Sequence, residues 1–167
     1  MLDLAECITI ADGACDILLN RLGNEPEMKG RSGGFLCIAD KKGQVLLLTQ
    51  IGDVPEEMLG RYSRNAVEKA QRLAWTSQYA GHTLSRQSRD EARERWIGAV
   101  AVEDYIFSFS GHFEDSDELL SLVTARDIGD LSTETAVQYA AGRNKYFPKV
   151  KDIFFRGVPV PERSAET

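Results

Sequence analysis

The chain has 167 residues, 43% of them hydrophobic and 28% charged, which is typical of one globular domain. Its formal net charge of −6 disfavours nucleic acid and anionic membranes as partners, because both select basic surfaces. No apolar run approaches the roughly 20 residues that span a bilayer. Cys7, Cys15 and Cys37 match no zinc-site spacing, and residues 1–5 lack the basic segment of a signal peptide. We therefore expect a cytoplasmic protein with reduced, buried thiols.

The first third of the chain predicts a helix followed by a β-hairpin. Residues 2–22 carry apolar side chains at helical spacing, and Gly23 and Pro26 mark the end of that helix. Two short apolar runs, 35–39 and 44–49, flank a four-residue turn that contains glycine. Because both runs are almost continuously apolar, we expect both faces of this hairpin to be at least partly covered.

A second helix is predicted from a capping pattern. Asp53, Pro55 and Glu56 are typical of a helix start, and the helical pattern continues to about Tyr79. Apolar residues occupy one face of this helix, whereas the other face is charged and includes Lys69.

A second hairpin follows a polar loop. The runs 96–102 and 105–110 are separated by only two residues, which favours a tight antiparallel turn. Aromatic residues alternate with Ile106, Ser108 and Ser110 in the second run, so we expect one apolar and one mostly polar face.

The remaining elements are helical. Asp115 and Glu118 have the spacing of a capping box, and Ser132 or Thr133 is expected to cap a last helix that Pro148 stops. The predicted fold is α+β: an antiparallel sheet of two β-hairpins flanked by helices, in the order α-β-β-α-β-β-α-α. We expect one domain over residues 1–148 and a C-terminal tail over residues 149–167.

A candidate ligand site lies where the fourth strand meets the third helix. Ser110, Gly111, His112 and Asp115 are grouped there, and such junctions often carry binding residues. A histidine beside carboxylates can bind a metal, transfer a proton or ligate haem. The alternative is an exposed loop histidine next to a helix cap. The neighbouring acidic residues lack the ligand spacing of a calcium loop, so no metal site is predicted.

One glycine-rich segment is a weaker candidate. Residues 30–34 read GRSGG, but they precede a strand, whereas a phosphate loop follows a strand and opens a helix. The segment is interpreted as a flexible start to the first strand.

Several motifs resemble the GlcG-like, HbpS-like haem-binding-protein family. Residues 38–46 (IADKKGQVL) are similar to that family's first hairpin, and Lys69-Ala70 matches a Lys-Ala pair in the helix that follows. Residues 97–111 resemble the second hairpin, which ends in Ser-Gly, and residues 114–118 match an acidic stretch before a helix. The resemblance covers residues 34–126. It implies a profilin-like fold, homo-oligomers, and small-ligand or haem binding in place of catalysis.

Three functions remain open from the sequence. The first is a homo-oligomeric small-ligand-binding protein, with haem as one ligand and His112 in its site. The second is a structural or regulatory interaction module that uses Trp96, Tyr105 and Phe107, although core packing is the other role open to these aromatics. The third is a lyase or hydrolase with His112 and Asp115 as an acid–base pair.

Overall fold

Five α-helices and one four-stranded sheet form the part of the chain that the computed structural model describes, residues 1–161. The helices are α1 (Leu4–Leu22), α2 (Leu59–Ala80), α3 (Glu114–Asp127), α4 (Thr133–Ala140) and α5 (Phe147–Phe154). The strands are β1 (Gly33–Asp40), β2 (Val45–Gly52), β3 (Ala99–Ala101) and β4 (Tyr105–Ser110). The predicted α+β class, the two hairpins and their order are confirmed, and α5 is added after them.

The sheet is antiparallel throughout and has the strand order β2-β1-β4-β3. The two hairpins join through β1 and β4, whose register pairs Phe35 with Ser110. Helices α1 and α3 cover one face of the sheet, where the larger core cluster lies. Helix α2 covers the other face and packs against residues such as Cys37 and Ile106. The end of β4 and the start of α3 therefore meet beside the buried face of α2.

The burial of the strands departs from the sequence pattern in two places. Strand β2 lies at the sheet edge, and Leu48 is 42% exposed because α2 packs mainly over β1 and β4. The face of β4 predicted to be mostly polar is instead buried, and the Ser108 hydroxyl donates a hydrogen bond to the Ala66 carbonyl of α2 (2.8 Å). A small hydroxyl that donates a hydrogen bond to the helix backbone can be buried at little cost in free energy.

Two predicted helix caps are wrong and one is confirmed. A 3₁₀ turn at Glu56–Met58 precedes α2, so Asp53 does not cap that helix. Helix α3 starts without a side-chain cap, because the carboxylates of Asp115 and Glu118 bind an arginine elsewhere. Ser132 caps α4 by accepting a hydrogen bond from the Thr135 amide.

Helix α5 begins at the position where the sequence predicted a stop. Pro148 lies in its first turn, where a missing amide hydrogen costs nothing. Val150 is fully buried and Phe154 is nearly so, and both join the larger core cluster. The predicted boundary at residue 148 thus falls inside a packed helix. Residues 162–167 of the predicted tail lie outside the described residues.

Candidate functional site

A pocket of about 500 Å³ opens at the junction of β4 and α3. Most of its wall comes from three segments: the loop before β1, residues 55–69 at the start of α2, and the turn from β4 into α3. Trp96, which precedes β3, also lines it. Ser110, Gly111 and His112 line it, as does the start of α3. Three of the four predicted site residues are therefore brought together at one cavity.

The floor of the pocket holds a buried ion pair. The Lys69 ammonium lies 3.0 Å from Asp117 Oδ2 and also donates a hydrogen bond to the Phe109 carbonyl (2.9 Å). Their side chains are 2% and 3% exposed. Burial raises the pKa of the Asp117 carboxyl, while the charge of Lys69 and its hydrogen bond act in the opposite direction.

An ammonium group has three donors, and among residues 1–161 two acceptors contact Lys69. The third donor makes no hydrogen bond within residues 1–161, and Lys69 is one of the residues that line the pocket. Gly98 makes room for this arrangement, because a Cβ there would lie 2.7 Å from Lys69 Nζ.

His112 lines the pocket, and both nitrogens of its ring already contact protein atoms. It is 4% exposed; its Nδ1 lies 3.0 Å from Ser116 Oγ, and its Nε2 lies 3.4 Å from Cys15 Sγ. Burial, together with the charges of Arg31 and Lys69, lowers the pKa of His112 to about 3. The imidazole is therefore neutral at physiological pH, and both ring nitrogens face protein atoms. Such a ring does not fit the role of an iron ligand.

The contact between Cys15 and His112 is not a catalytic dyad. Burial raises the pKa of the Cys15 thiol to about 12, whereas a nucleophilic cysteine needs a lowered pKa. The pKa of His112 is lowered, so the ring is neutral, whereas a protonated imidazolium would be needed to stabilise a thiolate. The pair is thus a buried contact between two neutral groups.

Asp115 points away from the pocket. Its carboxylate binds Arg86 (2.7 Å) and the Lys145 amide (2.7 Å). Arg86 also binds Glu118, so one guanidinium ties two buried carboxylates of α3 to the loop after α2. Asp115 makes no hydrogen bond to His112, and the structure does not assemble the acid–base pair considered from the sequence.

Positive charge dominates the pocket wall. Its charged groups are four cationic and two acidic side chains: Lys29, Arg31, Arg61, Lys69, Glu114 and Asp117. Lys69 neutralises Asp117, and Arg89 neutralises Glu114 at 3.0 Å. In residues 1–161, Lys29, Arg31 and Arg61 form no ion pair with a carboxylate. Three cations of the pocket lining therefore have no carboxylate partner, on a protein whose net charge is −6.

Arg31 is held in place by neutral groups. Its Nη1 donates to the Tyr62 hydroxyl (2.7 Å) and to the Gly111 carbonyl (3.3 Å). The guanidinium also lies 5.9 Å from the centre of the Tyr62 ring. These contacts fix the arginine but leave its charge uncompensated.

Close backbone packing brings Arg31 to the pocket. A Cβ at Gly111 would lie 2.2 Å from the Gly33 carbonyl oxygen and 2.4 Å from Gly34 Cα. The glycines of the segment predicted as a flexible start to β1 thus let that segment touch the β4–α3 turn. Gly30 and Arg31 become wall residues, a role that sequence reasoning did not assign to them.

Sequence reasoning also misassigned Lys69, which it placed on the charged face of α2. Lys69 lies seven residues after Tyr62 and three after Ala66, which is the spacing of the apolar face. All three are buried. The helical spacing could have identified Lys69 as a buried cation that requires a partner.

The aromatic residues considered for a partner surface are covered to different extents. Phe107 is fully buried, and Trp96 and Tyr105 are half-buried. The exposed aromatic residues in the described chain are instead Trp75 and Tyr79, at 64% and 65% exposure.

Two kinds of feature are absent from residues 1–161. No group of three or more His, Cys, Asp or Glu side chains is arranged to hold a metal ion. None of the described helices combines the length and apolarity needed to cross a bilayer.

Comparison with solved structures finds the crystal structure of Klebsiella pneumoniae protein ORFY, which carries the family model DUF336. The TM-score is 0.47 and the identity 14%, over 78% of this chain and 92% of that chain. The likeness is a distant one. No family model matches this chain, and no curated protein matches it.

Proposed function

We propose that the protein is a homo-oligomeric binding protein for a small anionic ligand, held in the pocket between the loop before β1, α2 and the β4–α3 turn. The supporting observation is the set of cations Lys29, Arg31 and Arg61, which line the cavity without carboxylate partners. Guanidinium groups bind carboxylates and phosphates through paired, charge-assisted hydrogen bonds.

The chemistry of the pocket favours binding over catalysis. Its deepest charged groups, Lys69 and Asp117, neutralise each other, and His112 is neutral with both nitrogens engaged. Ser110 adds a hydroxyl that makes no side-chain hydrogen bond within residues 1–161. The ligand we propose presents one or more carboxylates or phosphates to the arginines, and an oxygen to the third donor of Lys69.

Haem fits this proposal only through its negatively charged groups. Its two propionate groups match the cationic wall, whereas His112 does not fit as its iron ligand. We therefore expect any haemin binding to depend on the arginines. The His112→Ala variant should retain the saturable change in visible absorption that wild-type protein gives, and Arg61→Gln should weaken it.

The proposal is tested with two matched variants on one helix. Arg61 and Arg64 are both exposed on α2, but Arg61 lines this pocket and Arg64 does not. Citrate, inorganic phosphate and haemin are titrated into each protein by calorimetry. Loss of one partly exposed charge contact costs about 1 kcal/mol, so Arg61→Gln should weaken binding roughly fivefold.

Arg64→Gln should bind like wild type. Equal weakening by both substitutions would indicate general charge attraction, and no binding of any of the three anions to wild type would refute the proposal.

A further inference from the structure

The sheet ends in one covered edge and one open edge. Strand β3 is flanked by the loop after α2: the Ala101 amide donates to the Thr83 carbonyl, and Leu84 bridges to Val100. Strand β2 pairs only with β1 among the described residues, so its outer backbone groups have no strand beside them.

The open edge lacks the usual protection against pairing. Residues 45–52 read VLLLTQIG and contain neither a charge nor a proline. Natural edge strands are guarded by such residues or by bulges, because an open ladder recruits another strand. One irregularity does occur at Leu46, which has no partner on β1, but residues 47–52 stay in regular register. Val45, Leu46 and Leu48 are 36–42% exposed.

Charges of opposite sign flank this strand. Lys41 and Lys42 precede it, and Asp53, Glu56 and Glu57 follow it, all of them exposed. Antiparallel pairing with an identical strand would bring the lysines of each copy beside the acidic group of the other. Parallel pairing would bring like charges together, so the arrangement selects one geometry.

From the open edge and this charge order we infer that β2 pairs antiparallel with β2 of a second copy of this chain, which joins two four-stranded sheets into one. The two-fold axis passes near the middle of the strand. Such an axis places one residue opposite its own copy, and at Leu48, near the middle of β2, the two exposed Leu48 side chains meet on one face of the joined sheet. Leu48 pairs with Cys37, whose side chain packs against α2, so both α2 helices lie on the same face of the joined sheet.

This inference rests on the proposed self-association and is independent of anion binding, because Lys41, Lys42 and the acidic residues lie outside the pocket lining. It is tested by sedimentation velocity on two charge-reversed variants. Lys41→Glu/Lys42→Glu makes both ends of the strand acidic, and Asp53→Lys/Glu56→Lys/Glu57→Lys makes both ends basic.

We expect wild type to be a dimer, and each variant alone to dissociate at least tenfold more readily. An equimolar mixture of the two variants should regain the dimer, because opposite ends again meet. As a control, Arg143→Glu/Lys151→Glu changes the net charge by the same amount as Lys41→Glu/Lys42→Glu, at exposed residues away from β2, and should sediment like wild type.

Three outcomes would overturn the inference. If wild type self-associates and both variants behave like it, the β2 seam is wrong while the homo-oligomer proposal stands. If the mixture does not regain the dimer, the antiparallel charge pairing is wrong. If wild type is monomeric at the highest concentration reached, both fail, and the open edge is left for an extended strand of another protein.

Discussion

Replacing Lys69 by methionine should strongly destabilise the fold, because it leaves the buried Asp117 carboxylate without its cation. The two side chains are almost completely inaccessible and their charged atoms lie 3.0 Å apart. Removing one partner of such a pair costs about 3–5 kcal/mol. Asp117 can escape part of this cost by binding a proton, since burial already raises its pKa. We therefore expect about 3 kcal/mol at pH 7, the lower end of the range.

Urea unfolding followed by circular dichroism measures this loss. With a slope of about 2 kcal/mol per molar, the midpoint should fall by about 1.5 M. The double variant Lys69→Met/Asp117→Asn removes both charges, keeps an acceptor for the His112 amide, and should be more stable than Lys69→Met. Lys41→Met serves as the exposed control and should change stability little. A Lys69→Met protein within about 0.5 kcal/mol of wild type would refute the argument from the buried pair.

Two further effects concern stability. Gly111→Ala should lower the melting temperature, at a cost of at least about 2 kcal/mol, because its Cβ would lie 2.2 Å from the Gly33 carbonyl oxygen. Gly13→Ala, where the structure leaves open space, should be neutral or slightly stabilising, and equal effects would contradict the close approach. As pH falls below 6.5 the unfolded chain protonates His112 before the folded one, so wild type should lose stability relative to His112→Gln, by about 2 kcal/mol at pH 5. Urea titrations at pH 7 and pH 5 measure the difference in unfolding free energy between the two proteins. Because both proteins contain Asp117, its opposite contribution cancels in that difference. The same difference at both pH values would contradict a buried, neutral imidazole.

The local patterns of the chain predicted its elements well. Glycine turns and apolar runs located both hairpins, and helical spacing located α1 and α2. What these patterns could not give is how elements separated in sequence come together. Whether β2 lies at an edge or in the middle of the sheet depends on the pairing of β1 with β4. The exposure of Leu48 and the burial of Ser108 both follow from that pairing and from the position of α2 above it.

The candidate site was predicted only in part for the same reason. Ser110, Gly111 and His112 are neighbours in sequence and were found together. Asp115 was assigned to the same site because it is close to them in sequence. Its carboxylate instead binds Arg86, which lies 29 residues earlier in the chain. Arg31 lies 80 residues before Gly111 in the chain, yet its guanidinium donates a hydrogen bond to the Gly111 carbonyl. No local pattern encodes either contact.

Amide chemical shifts of ¹⁵N-labelled protein report whether an anion binds at the cationic pocket. Inorganic phosphate and citrate are titrated separately while two-dimensional spectra are recorded. We expect saturable shifts at the amides of Gly30, Arg31 and Gly111, and little change at Lys41 and Lys42. Shifts confined to those two lysines, or no saturable shift anywhere, would contradict anion binding at this pocket.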